Sequence, residues 1–161
     1  MNRSLKYYFK DVLSYVLYPG LLQKRKKYTL TIFCVIKEEN EYLEEWIKYY
    51  LKLGVEHFCI FNNESKTPVG ETLASLKLNN VSTVTIIKGQ VAQLKAYNLG
   101  TELFGKETQW MAFIGTDEFL VPKNANNLQQ FLHAYRKFGG LGVNWLVFGS
   151  SGHEKNQRDH R

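Results

Sequence analysis

The sequence lacks most of the features that announce a functional class. Its 161 residues include only 2 cysteines and 3 prolines. Cys34 and Cys59 each lie mid-strand inside an apolar run, with no paired His to activate them. They read as buried thiols, not as a disulfide framework or a zinc site. No apolar run reaches membrane-spanning length, and the longest candidate, residues 12–22, is broken by Pro19-Gly20. Asp11 and the same pair interrupt any secretory hydrophobic region, and no small-residue cleavage pattern follows. There is no Gly-x-Gly-x-x-Gly opening a helix, no Gly-Lys-Ser/Thr phosphate loop and no Gly-x-Ser-x-Gly elbow. Gly139-Gly140-Leu141-Gly142 precedes an apolar run of strand character, so it reads as a turn. Neither an internal repeat nor a low-complexity segment is present.

What the sequence does have is an uneven charge. Residues 1–27 hold seven Lys or Arg against the single acid Asp11, which accounts for the whole net charge of +6. The remaining chain is neutral. A nucleic-acid binder carries its basic face on the folded body, so nucleic acid is not expected as a partner. In the arm, Leu5, Tyr8, Phe9, Val12, Leu13, Val16 and Leu17 share one helical face, followed by Lys24-Arg25-Lys26-Lys27. Such a face either packs on the domain or lies on an anionic membrane surface.

Beyond the arm, apolar strands alternate with amphipathic helices. Leu30–Ile36 is uniformly apolar, as a strand covered on both faces must be. Asn40 stands where it can cap a helix whose stripe is Tyr42, Leu43, Trp46, Ile47, Tyr50 and Leu51, with Gly54 ending it. Strands are expected at His57–Phe61, Val84–Ile87, Trp110–Ile114 and Leu141–Phe148. Helices are expected at Glu71–Leu78, Val91–Phe104 and after a capping Asn127. Repeated β-α-β units with short links predict an α/β fold, with a mainly parallel sheet between helices. The organisation expected is a basic arm over 1–27, a domain over 28–151 and a polar tail over 152–161.

Ligands of such sheets sit beyond the carboxyl ends of the strands. Four ends are polar: Lys37-Glu38-Glu39-Asn40, Asn62-Asn63-Glu64-Ser65, Lys88-Gly89-Gln90 and Gly115-Thr116-Asp117-Glu118. Together they offer donors, acceptors and carboxylates to one crevice.

These ends lie in blocks that carry a resemblance. VIKEENEYLEEWIKYYLKLGVEHFCIFNNES, QLKAYNLG, WMAFIGTDEFLVP and GGLGVNWLVFGSSGH resemble, in order, segments of the glycosyltransferases of family 92, which are related to family 2. The resemblance runs from about Thr29 to His153. It implies a GT-A fold: a Rossmann-like nucleotide-sugar half followed by an acceptor half, of which this sequence holds little. It also implies sugar transfer from a nucleotide diphosphate donor, in the first instance a UDP-sugar, to a glycan acceptor. Mn²⁺ or Mg²⁺ would assist by neutralising the leaving diphosphate. By the same resemblance Lys37, Glu39, Asn62, Asn63, Gln93, Tyr97 and Asn98 are donor-binding candidates and Asp117 the metal ligand. Gly115 stands where the family's first acid falls, Asn62 where it has Asp, Glu38 where it usually has Asn, and Tyr50 where it often has His. No catalytic base is assigned. Surface-polysaccharide assembly from cytoplasmic nucleotide sugars, at or near the membrane, is the expected setting. The alternative is a remnant or partner-binding module that keeps the fold without catalysis.

Overall fold

The computed structural model describes residues 26–147. The expectations for the amphipathic arm, for Phe148 and for the polar tail fall outside these described residues.

Four strands, β1 (Tyr28–Ile36), β2 (His57–Asn62), β3 (Ser82–Ile86) and β4 (Thr108–Phe113), form one sheet in the order β3-β2-β1-β4. Every pairing is parallel. A 3₁₀ turn at Asn40–Tyr42 leads into α1 (Leu43–Lys52), and α2 (Val69–Ser75), α3 (Ala92–Phe104) and α4 (Leu128–His133) follow. This is the Rossmann-like α/β arrangement expected.

The pleat explains the uniform apolarity of β1. Leu30, Ile32, Cys34 and Ile36, with Phe58 and Ile60 of β2, point to a face covered by Leu43, Trp46, Ile47 and Tyr50 of α1 and by Val69 and Leu73 of α2. Phe33, with Cys59 and Phe61, points to the other face, under Ala92 and Ala96 of α3. Both faces are dry, so both parities of the strand must be apolar. Cys34 and Cys59 lie on opposite faces and cannot bridge. Both are buried, and burial pushes the Cys59 thiol up to about 12, which keeps it protonated and unreactive.

The ends of α1 and α4 follow their sequence signals. Gly54, at φ +85°, takes the left-handed position after α1, its N–H bonded to the Leu51 carbonyl. Asn127 caps α4, its side chain accepting from the Gln130 N–H at 2.7 Å. α4 then docks on the end of α1 through Leu128 N–H to the Leu53 carbonyl and Gln129 Nε2 to the Gly54 carbonyl.

Two expectations are corrected. Asn40 does not cap α1; its Nδ2 reaches across to the Thr67 carbonyl and Thr72 Oγ1 instead, tying the start of the helix to α2. Residues 141–147 form no strand and lie largely exposed, with Trp145 at 75% and Val147 at 75%. β-propensity needs a paired edge and a covered face to act on, and none of the described strands pairs with this segment. Among the described residues, no helix is long and apolar enough to cross a membrane.

Candidate functional site

The chain steps outward from β1 to β2 to β3, then returns to the far side of β1 for β4. The strand order therefore reverses between β1 and β4, and the crevice beyond their carboxyl ends is where such sheets hold ligands. Glu39, after β1, and Thr116, after β4, meet across this point: Thr116 Oγ1 donates to Glu39 Oε2 at 2.6 Å. Thr116 is buried beneath the loop.

The acidic loop is closed on itself as well. Gly115 N–H donates to Glu118 Oε2 at 2.7 Å, and Glu118 N–H to the Gly115 carbonyl at 3.2 Å. Asp117 is exposed and makes no hydrogen bond to the described residues. A Cβ built on Gly115 would lie 2.8 Å from Asp117 Oδ1. The carboxylate thus leans over the glycine, in space that a side chain there would claim.

At the end of β2, Asn62 Oδ1 accepts from the Ser65 N–H at 2.9 Å, and Asn63 Nδ2 donates to the carbonyls of Ile87 and Gly89 at 3.1 and 3.3 Å. Glu64 Oε2 accepts from the Gly89 N–H. Asn62 thus shapes its own loop, while Asn63 and Glu64 fasten the β2 and β3 ends to one another, which leaves little of Asn63's donor capacity for a ligand. Lys37 is exposed at the end of β1. On α3, Gln93 Nε2 donates to the Tyr97 hydroxyl at 3.2 Å, and the Tyr97 ring packs on Phe113 at the end of β4 with 4.6 Å between centroids. Burial raises the Tyr97 pKa, so its hydroxyl stays neutral. Asn98, one residue on, is exposed and turned away from the Gln93–Tyr97 pair.

Three non-glycine residues at these ends hold a positive φ: Glu38 and Glu64 at 57° and Val91 at 59°. Strain of this kind collects where a crevice dictates loop shape. Val91, β-branched, is the most costly of them.

The expected residues are therefore brought to one edge, with Asn98 set apart. Thr116 and Glu118, which hold the loop, were not among the candidates. The one signal for them was their place beside Asp117.

A divalent cation fits these residues poorly. Among the described residues, no three His, Cys, Asp or Glu side chains come together. Glu118 is engaged by Gly115 and Glu39 by Thr116, so Asp117 is left as the sole unengaged carboxylate of the acidic loop.

Residues 31–160 match the family described as glycosyltransferase family 92. The chain belongs to glycosyltransferase family 92. A family 92 protein of Oryza sativa subsp. japonica is 26% identical over 136 residues, covering 82% of this chain and 23% of its own length. One of Ricinus communis is 29% identical over 147 residues, covering 83% of this chain and 25% of its own. This chain thus spans about a quarter of the length of the family 92 relatives it matches. No solved structure matches it significantly.

Proposed function

We propose that this chain is the donor-binding part of a GT-A glycosyltransferase, taking a UDP-sugar at the β1/β4 switch point for transfer to a glycan acceptor. The observation that carries the reading is the Glu39–Thr116 hydrogen bond. It joins the two strand ends that flank the switch point and leaves Asp117 beside them with a carboxylate free of the described residues. Lys37 supplies positive charge toward a diphosphate, and Gln93 with Tyr97 forms the α3 wall. Asn62 and Asn63 act through the loops they fasten. Asp117 alone does not make a cation site, so Mn²⁺ without nucleotide is expected to give no saturable heat. The proposed setting is cytoplasmic and peripheral to an anionic membrane, through the charge of residues 1–27. Lys26 and Lys27 of that basic run already reach the turn between α3 and β4, Lys26 to the Gly105 and Lys106 carbonyls and Lys27 to Glu107 at 3.8 Å.

Calorimetry with UDP, with and without Mn²⁺, tests the reading. Asp117 offers its carboxylate as an acceptor to a ribose hydroxyl, so saturable heat that Asp117→Asn weakens supports the reading, and no heat at millimolar UDP in either condition ends it. A binding module without turnover is the second reading, favoured by Gly115 in the acidic loop. UDP binding with neither transfer nor donor hydrolysis would select it.

A further inference from the structure

The loop that carries Asp117 has almost no backbone pairing of its own. Across residues 115–126, Glu118 N–H to Gly115 O is the single backbone–backbone hydrogen bond among the described residues. Side chains of α1 take the place of that pairing. The Glu118 carbonyl accepts from Trp46 Nε1 at 3.2 Å and from the Tyr50 hydroxyl at 3.0 Å. The Tyr50 hydroxyl in turn accepts from the Leu120 N–H at 2.9 Å, and the Leu120 carbonyl accepts from the Tyr49 hydroxyl at 2.8 Å. Phe119, between these two anchored residues, lies edge-on to Tyr49 with 5.0 Å between centroids.

Positions 46, 49 and 50 are one helical face at i, i+3 and i+4. Trp46 and Tyr50 are fully buried, and each uses its polar atom on the loop backbone. A core that needed only volume would be served by Leu or Phe. Indole and phenol add donors that buried surroundings make hard to leave unpaired. The Glu118 carbonyl has both lone pairs engaged and the Tyr50 hydroxyl both donates and accepts, so the two are saturated. The anchor points begin one residue after Asp117, and on the other side Thr116 is held by Glu39. Asp117 is thus the free residue of a loop fixed on both flanks.

We propose that Tyr50, supported by Trp46 and Tyr49, is a positioning residue that sets where Asp117 stands, acting through the backbone of Glu118 and Leu120. This rests on the donor-site reading for its meaning in function, while its structural half is testable without ligand.

The test uses the full chain with Tyr50→Phe, which removes one oxygen, and Trp46→Phe as a second variant should the first fail to fold. Amide hydrogen exchange and backbone NMR of the ligand-free protein come first. The expected result is faster exchange at Leu120 by about tenfold, the scale of one lost hydrogen bond, with displaced resonances from Gly115 to Glu118 and unchanged ones in β2 and α2. UDP calorimetry follows in a cycle with Asp117→Asn. Tyr50→Phe should weaken UDP by about tenfold in the parent, on the same scale, and have no further effect once Asp117 is neutralised. Unmoved resonances from Gly115 to Glu118 in the variant would overturn the proposal, as would an equal loss of affinity with and without the Asp117 carboxylate. If the parent binds no UDP, the donor-site reading fails, and the ligand-free resonances still decide whether Tyr50 places the loop.

Discussion

Over one face of the sheet α1 lays down Trp46, Ile47 and Tyr50, all fully buried, and over the other α3 presents Ala92, Ala96 and Gly100. On the first face the helix brings the bulk. On the second the strands bring it, as Phe33 and Phe61, and the helix comes close enough to touch them. The two solutions fill the same kind of interior, but they leave different capacities behind. Large side chains with polar tips reach past the core to organise a loop, as Trp46 and Tyr50 do for Glu118 and Leu120. Small ones fix only the distance between helix and sheet. The carboxyl edge of the sheet draws on both: its acidic loop is braced from the α1 side, and Tyr97 packs on Phe113 at the end of β4 from the α3 side.

The comparison is broken most directly at Trp46. Trp46→Ala removes buried volume and a donor together, and should cost about 3–5 kcal/mol, read from urea denaturation. A cost near zero would mean that the α1 face is not the core.

Gly100 is the corresponding position on the other face. A Cβ there would sit 2.6 Å from Phe33 Cδ1 and 3.2 Å from Phe61 Cζ. Gly100→Ala should therefore destabilise by about 1–2 kcal/mol, because the overpacking outweighs alanine's better helix propensity. A rise in the urea midpoint would show that α3 is free to lift.

Much of this contrast was legible from residue patterns, and the rest was not, for reasons that differ by element. The stripe Leu43, Trp46, Ile47, Tyr50 and the dry run Leu30–Ile36 announce themselves because burial on a helix or a doubly covered strand imposes a period that local sequence carries. The Asn127 cap and the Gly54 stop are equally local. The polar strand ends could be foreseen as one crevice, because parallel topology puts all carboxyl ends on one edge. Asn40 misled because its amide is turned by the Thr67 carbonyl and by Thr72, 32 residues along the chain, so that its Oδ1 accepts from no N–H of α1. Leu141–Phe148 has strand composition, but pairing is a property of two segments and cannot be read from one. The clamp was hidden for the same reason. Tyr50 and Leu120 are 70 residues apart, and nothing in either stretch names the other.

Strain at the start of α3 offers a smaller test. Val91 caps that helix at φ 59° with its side chain 71% exposed. Val91→Gly relieves a left-handed β-branched residue without losing packing, and part of the gain is offset by glycine's greater freedom when unfolded. The unfolding free energy read from urea denaturation should rise, by about 1 kcal/mol at most. A loss would place Val91 in a contact that its exposure does not suggest.

The smallest effect is a pH dependence on the α3 face, at the amino end of the sheet. His57 stacks on Tyr28 with 4.7 Å between centroids, meets Thr83 Oγ1 through Nε2 at 3.0 Å and lies against Phe104. Burial first, and the Lys27 charge second, lower its pKa from the ordinary 6.5, while Glu107 and the hydrogen bond at Val81 pull the other way. A lowered value means that the folded chain holds the proton less tightly than the unfolded one. His57 therefore contributes stability that is complete above 6.5 and is lost as pH falls from there through its folded value. Urea denaturation of the parent and of His57→Gln, at about pH 7.5 and about pH 5.5 on either side of the imidazole range, isolates this contribution. Glutamine keeps a partner for Thr83 and cannot titrate, so the stability loss on acidification should be shallower in the variant than in the parent. Parallel losses would show that His57 titrates alike in both states, and that Tyr28 and Phe104 leave its ring as wet as it is in the unfolded chain.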